Sequence, residues 1–154
     1  MDDGFCIYET EMGKIRISYD NGNVVGIRFV TDDAPGAGCA NALTDEAARE
    51  LGEYFAGKRT SFDFPYIAEG TEFRKAVWSE VGRIPYGETR SYGEIACSVG
   101  KPNAVRAVGH AIGKNPILIA IPCHRVIGKN GKMTGYACGT DRKASLLYIE
   151  KRYR

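Results

Sequence analysis

Ser91-Tyr92-Gly93-Glu94-Ile95-Ala96-Cys97-Ser98-Val99-Gly100, then Lys101-Pro102-Asn103, then Ala104-Val105-Arg106-Ala107-Val108-Gly109-His110-Ala111-Ile112-Gly113, is the stretch on which the fold turns. Ser91 and Glu94 stand three apart, the spacing of a capping box. They open a helix that ends at Gly100. Lys101-Pro102-Asn103 is a tight turn, and Asn103 is expected to cap a second helix reaching to about Gly113. Helix, short turn, helix is the pattern of a helix-turn-helix. At about 100° per residue, Val105, Val108 and Ile112 share one face, which is expected in the core. The opposite face carries Arg106, Ala107 and His110, flanked by Ala111 and Gly113. An exposed face normally carries long polar side chains. Small residues around a single arginine suit a large partner approaching the backbone, and a narrow nucleic-acid groove would fit. A helix packed on both sides within the protein is the alternative.

Working outward, Thr71 is expected to cap a preceding helix through about Val81, with Phe73, Val77 and Trp78 on it, and Pro85-Tyr86-Gly87 breaks it. Residues 5–10, 14–19 and 24–30 are rich in β-branched and aromatic residues and are separated by Met12-Gly13 and Asp20-Asn21-Gly22-Asn23, so three strands are expected. Thr44 is expected to open a helix to about Phe55, and residues 57–70 to serve as a linker. The reading is an α+β protein in two parts. A small N-terminal antiparallel sheet with a helix occupies residues 1–68. A mostly helical domain with the helix-turn-helix occupies residues 69–154.

The chain has 154 residues, 44% hydrophobic and 26% charged, which is ordinary globular composition and excludes wholesale disorder. No apolar run approaches the ~18 residues of a membrane span. The acidic start Met1-Asp2-Asp3-Gly4 lacks the basic and apolar stretches of a signal peptide, so a soluble, cytoplasmic protein (or a nuclear one in a eukaryote) is expected. The net charge of +2 hides an asymmetry. Residues 1–82 carry 8 Lys and Arg against 15 Asp and Glu, whereas residues 83–154 carry 13 against 4. A basic half beside an acidic half points to a polyanionic partner or to a patchily charged surface.

Five cysteines, Cys6, Cys39, Cys97, Cys123 and Cys138, form no CxxC pair. With only His110 and His124 beside them they give no zinc spacing, so no metal is expected. Cys6, Cys39 and Cys97 read as small apolar residues. Cys123 differs. It lies in Pro122-Cys123-His124-Arg125-Val126, after Asn115-Pro116 and the apolar run of residues 117–121. Adjacent His and Arg favour the thiolate, the nucleophilic form.

Ile121-Pro122-Cys123-His124-Arg125-Val126 resembles the active-site motif of the O6-alkylguanine-DNA alkyltransferases, the methylated-DNA–protein-cysteine methyltransferase family. Phe73-Arg74-Lys75-Ala76-Val77-Trp78, Ile84-Pro85-Tyr86-Gly87-Glu88-Thr89, Ser91-Tyr92-Gly93, Arg106-Ala107-Val108-Gly109 and Asn115-Pro116 match that family in order and spacing. The resemblance runs from about Gly70 to Glu150. It implies a ribonuclease-H-like N-terminal part and a partner in double-stranded DNA containing alkylated guanine, with O4-methylthymine a second candidate lesion. It implies a monomer that needs no cofactor and does not engage a membrane.

By resemblance, Cys123 accepts the alkyl carbon, His124 draws the thiol proton through a water, Glu150 orients His124, and Asn115 braces the turn. Tyr92 assists base rotation and offers a proton to the guanine ring. Arg106 fills the gap left by the flipped base, and Ala104, Ala107, Tyr92 and Arg125 are expected at the DNA. Val126, Tyr136, Ala137 and Cys138 are expected around the guanine. The family usually reads Gly-Tyr-x-Gly-Gly after the active site, and here the residues are Gly135-Tyr136-Ala137-Cys138-Gly139. Cys138 is expected to narrow the pocket against bulky adducts. Lys129, Lys132, Arg142, Lys143, Lys151 and Arg152 read as solvated charge, some of it available to phosphates. Two rival functions are a lesion-binding relative without chemistry, which the presence of Cys123 disfavours, and a thiol hydrolase or redox protein using Cys123 and His124, the redox form of which would need Cys138 as its resolving cysteine.

Overall fold

The computed structural model describes residues 3–32, 36–131 and 139–154. One compact unit is Met1–Ala68 with Pro116–Leu118, and the other is Glu69–Asn115 with Ile119–Arg154. No helix among the described residues is long and apolar enough to cross a membrane.

In the first unit, β1 (Asp3–Thr10), β2 (Gly13–Asp20) and β3 (Asn23–Phe29) form an antiparallel sheet in sequence order. The β2–β3 connection has two residues, Asn21 and Gly22, both at positive φ, as a tight hairpin requires. Alternation buries Ile15 and Ile17 of β2, and the register shift between Ser18 and Tyr19 lets both Val24 and Ile27 of β3 join the core. Helix α1 (Ala42–Phe55) packs on the sheet and adds Ala47, Leu51 and Tyr54 to the core. Its cap is Asn41 and not Thr44. The Asn41 side chain accepts from the Thr44 N–H at 2.8 Å, and the Thr44 hydroxyl accepts from the Asn41 N–H at 2.9 Å. Thr44 thus closes the box from the third helical position.

The expected linker is also pinned. Glu50 accepts the Asp63 N–H at 2.7 Å, Arg59 donates to Glu53 at 2.9 Å, and Phe64 is buried. Val24 pairs with Tyr66, and Ile27 pairs with Ile117 of the returning segment Pro116–Leu118.

The second unit holds α2 (Glu72–Val81), α3 (Tyr92–Ser98), α4 (Val105–Gly113) and α5 (Thr140–Arg152). Thr71 caps α2, and Ser91 with Glu94 forms the capping box of α3. Gly100 turns the chain at φ +78°, where a side chain would be strained. Asn103 does not cap α4. The flanking residue is Ala104, with no side-chain cap, because the turn closes by the Ala104 N–H donating to the Lys101 carbonyl at 2.9 Å.

The buried face of α4 is Val108, Ala111 and Ile112. Val105 is 41% exposed, contrary to its expected place in the core. The buried set follows the i, i+3, i+4 stripe from Val108, and Val105, in the first turn, lines a surface cavity instead. Trp78, 4% exposed, donates its indole N–H to the Ala111 carbonyl at 2.8 Å and ties α2 to α4.

Candidate active site

Two short strands bring the helix-turn-helix and the cysteine turn together. β4 (Arg90–Ser91) pairs in parallel with β5 (Val126–Ile127), Arg90 opposite Val126 and Ser91 opposite Ile127. The pairing sets the start of α3 beside the 3₁₀ turn Cys123–Arg125. The chain approaches this turn through Ile119, a buried β-branched residue at φ +74°. A conformation of that kind costs about 1–3 kcal/mol and persists only where the surroundings impose it.

Asn115 is buried, and its amide nitrogen donates to the Ile121 carbonyl at 2.8 Å and to the Cys123 sulfur at 3.1 Å. One side chain therefore fixes both the backbone before the turn and the sulfur on it. Cys123 is 3% exposed. His124 is wholly buried, and its Nε2 lies 2.6 Å from Glu150 Oε2. Glu150, on α5, is also fully buried. Its Oε1 accepts from Arg125 Nε at 2.8 Å and from the Gly87 N–H at 3.1 Å. Its Oε2 accepts from Arg125 Nη2 at 2.9 Å as well.

Burial pushes the Glu150 carboxyl up, but hydrogen bonds from His124 and Arg125 outweigh it and hold the group at about 2. Burial lowers His124 despite the attraction of Glu150, so the imidazole is neutral near pH 7. An ionised Glu150 takes the Nε2 proton in a hydrogen bond, which leaves the lone pair on Nδ1. That tautomer is the form a proton acceptor needs.

Arg125 was expected at the DNA surface, and the structure corrects this. The residue is buried, grips Glu150 with two nitrogens, donates Nη1 to the Ile84 carbonyl at 2.7 Å, and lies 5.6 Å from the Tyr86 ring centre. Its planar fork matches the carboxylate it clamps.

Lys143, expected to be solvated, is fully buried on α5. Its ammonium is 5.7 Å from the centre of the Tyr92 ring. Burial lowers Lys143, and the negative charge of Cys123 as thiolate acts in the opposite direction. The signal was available in the sequence: Lys143, Leu146 and Glu150 fall at i, i+3 and i+7, one stripe of α5, and all three are buried.

Tyr92, Val105, Arg106, Gly109 and Lys129 line a cavity of about 660 Å³ on the face of the helix-turn-helix. Arg106 and Ala107 are exposed, Ala104 is half-buried, and Val126 is buried in β5. Tyr136, Ala137 and Cys138 lie outside the described residues. Cys39 and Cys97 are exposed and Cys6 is buried.

The second unit thus sets a helix-turn-helix beside a buried Cys–Asn pair and a buried His–Glu–Arg cluster. Residues 72–152 match the 6-O-methylguanine DNA methyltransferase DNA binding domain, and residues 5–66 match the ribonuclease-like domain of the same proteins. The chain is 47% identical over 151 residues to the methylated-DNA–protein-cysteine methyltransferase of Methanosarcina acetivorans, covering 95% of this chain and 97% of that one. It superposes on the structure of Mycobacterium tuberculosis OGT in complex with DNA with a TM-score of 0.86 and 41% identity, over 97% of this chain and 93% of that one. An O6-methylguanine DNA methyltransferase from Methanococcus jannaschii gives 0.68 and 29%, over 94% and 92%. The chain belongs to the 6-O-methylguanine-DNA methyltransferase family.

Proposed function

We propose that this protein repairs DNA by direct reversal, moving the alkyl group of an O6-alkylguanine to its own Cys123. The observation that carries the reading is the single network in which Asn115 holds the Cys123 sulfur while Glu150, clamped by Arg125, holds a neutral His124. The expected departure of the thiol proton is to His124 through a water, and the thiolate attacks the alkyl carbon in line. A sulfur–carbon bond forms as the carbon–oxygen bond breaks. The guanine oxygen takes the electron pair, and the Tyr92 phenol supplies a proton to the ring. The product is a thioether with no leaving group, so each molecule acts once.

The lesion reaches the site by flipping out of the duplex. Small residues on α4 suit a minor groove, and Arg106 takes the place of the extruded base. We place the activity in the cytoplasm, in a monomer without a cofactor. A binding protein without chemistry would have no use for the braced sulfur of Cys123.

Intact mass after incubation with methylated duplex separates the two readings. The expected result is a gain of one methylene, mapped to Cys123, in step with loss of the lesion. Lesion binding with no mass change would select the binding protein.

Arg106→Ala is expected to lower the second-order rate constant on methylated duplex by roughly tenfold more than on the free O6-alkylguanine base. Opening the stack costs a few kcal/mol, and ~1.4 kcal/mol is a factor of ten. Equal losses on both substrates would assign Arg106 to the pocket or the fold.

A further inference from the structure

Several cations of the second unit are answered within it: Lys75 by Glu72, Arg83 by Glu80 and Arg125 by Glu150. Arg106 and Lys129 are not. Among the described residues neither has an ion pair or a side-chain hydrogen bond, and both line the cavity over Tyr92. No carboxylate is among the residues that line it. Arg106 comes from α4, whereas Lys129 comes from the 3₁₀ turn Lys129–Gly131, which follows directly on β5 and the Cys123 turn. Two unanswered positive charges on different elements, lining one cavity without a counter-charge, form an anion site with two points of attachment.

On the reading above, a nucleotide extruded into this cavity brings its flanking phosphates to the rim. The rest of the lining, Ser91, Tyr92, Gly93, Val105 and Gly109, offers surface to a base and no charge to a phosphate. A lysine is a compact charge on a flexible stem and meets a phosphodiester oxygen without demanding a planar match. We propose that Lys129 binds a phosphodiester flanking the extruded nucleotide, from a different element than Arg106. Arg106 then holds the vacated duplex, and Lys129 holds the displaced strand. Because only the short strand β5 and Gly128 separate the Lys129 turn from the Cys123 turn, the phosphate contact also registers the nucleotide against the nucleophile. The proposal rests on the alkyl-transfer reading.

The test compares wild type, Lys129→Ala and Lys129→Arg on methylated duplex and on the free O6-alkylguanine base, across a series of salt concentrations. Lys129→Ala is expected to slow the duplex reaction three- to tenfold more than the free-base reaction at low salt. It is also expected to make the slope of log affinity against log salt shallower by about 0.9, the value of one phosphate contact. Lys129→Arg should restore most of both. A neutral methylphosphonate placed beside the lesion should slow the wild type and add nothing to Lys129→Ala. Equal slowing of both proteins by that substitution would overturn the proposal, as would equal losses on duplex and free base. A wild type that reacts with neither substrate would overturn the alkyl-transfer reading and this proposal with it. A reactive wild type indistinguishable from Lys129→Ala would overturn this proposal alone.

Discussion

Cys123→Ala will leave methylated duplex unrepaired, with the rate of alkyl transfer down by roughly 10⁴-fold or more, as for removal of other enzymatic nucleophiles. The reason is geometric as well as chemical. The sulfur is 3% exposed and braced by Asn115 at 3.1 Å, and the neighbouring side chains serve other partners: His124 meets Glu150 through Nε2, and Arg125 is committed to Glu150 and the Ile84 carbonyl. DNA binding is expected to persist, since Arg106 and Ala107 lie on α4 and owe nothing to the sulfur. Single-turnover assays with labelled methylated duplex, run beside anisotropy titrations, check both halves. Methyl removal by Cys123→Ala would mean that another residue is the acceptor.

Glu150→Gln is expected to destabilise the fold strongly. It keeps the shape of the side chain and removes the charge that Arg125 requires. Arg125, 7% exposed, would become a buried cation without a counter-ion, a loss of about 3–5 kcal/mol. For a chain of this size that lowers the melting temperature by roughly 6–20 °C, at about 2–4 °C per kcal/mol.

The pH dependence has a definite sign. The Glu150 carboxyl sits at about 2 in the folded chain and at about 4.3 when unfolded. Its contribution is therefore complete above about pH 4.3 and fades as the pH falls towards 2. His124, held below its ordinary value by burial, adds a second loss that begins as the pH drops under about 6.5, where the unfolded chain takes up a proton that the folded chain resists. Wild type should lose stability on both acid limbs, and Glu150→Gln should lack the lower one. Calorimetry at a series of pH values reads this directly, and a variant that melts with wild type at pH 7 would refute the clamp.

What was legible in the sequence was whatever local chemistry encodes. The Ser91–Glu94 box, the Asn21-Gly22 hairpin and the three strands depend on neighbours within a few residues, and they stand where the pattern placed them. The turn bearing Cys123 was legible through its motif. The roles of Arg125 and Lys143 were not. Arg125 meets its carboxylate 25 positions away on α5, and a charged side chain read in one dimension defaults to solvent. Asn41 escaped because either member of a reciprocal box can be taken for its start. Val105 escaped because helical periodicity gives the direction of a side chain but not whether another element covers it.

The contact between Trp78 and Ala111 has a practical consequence. The chain has one tryptophan, and its indole is sealed from solvent and hydrogen-bonded to the helix that carries Arg106. Emission from such an indole is sensitive to the length of that bond and to the entry of water. Any tilt of α4 on meeting a duplex would therefore appear as a change in intrinsic fluorescence. The protein carries its own chromophore for stopped-flow work, and the seating of the helix can be timed separately from the chemistry at the sulfur without an added label.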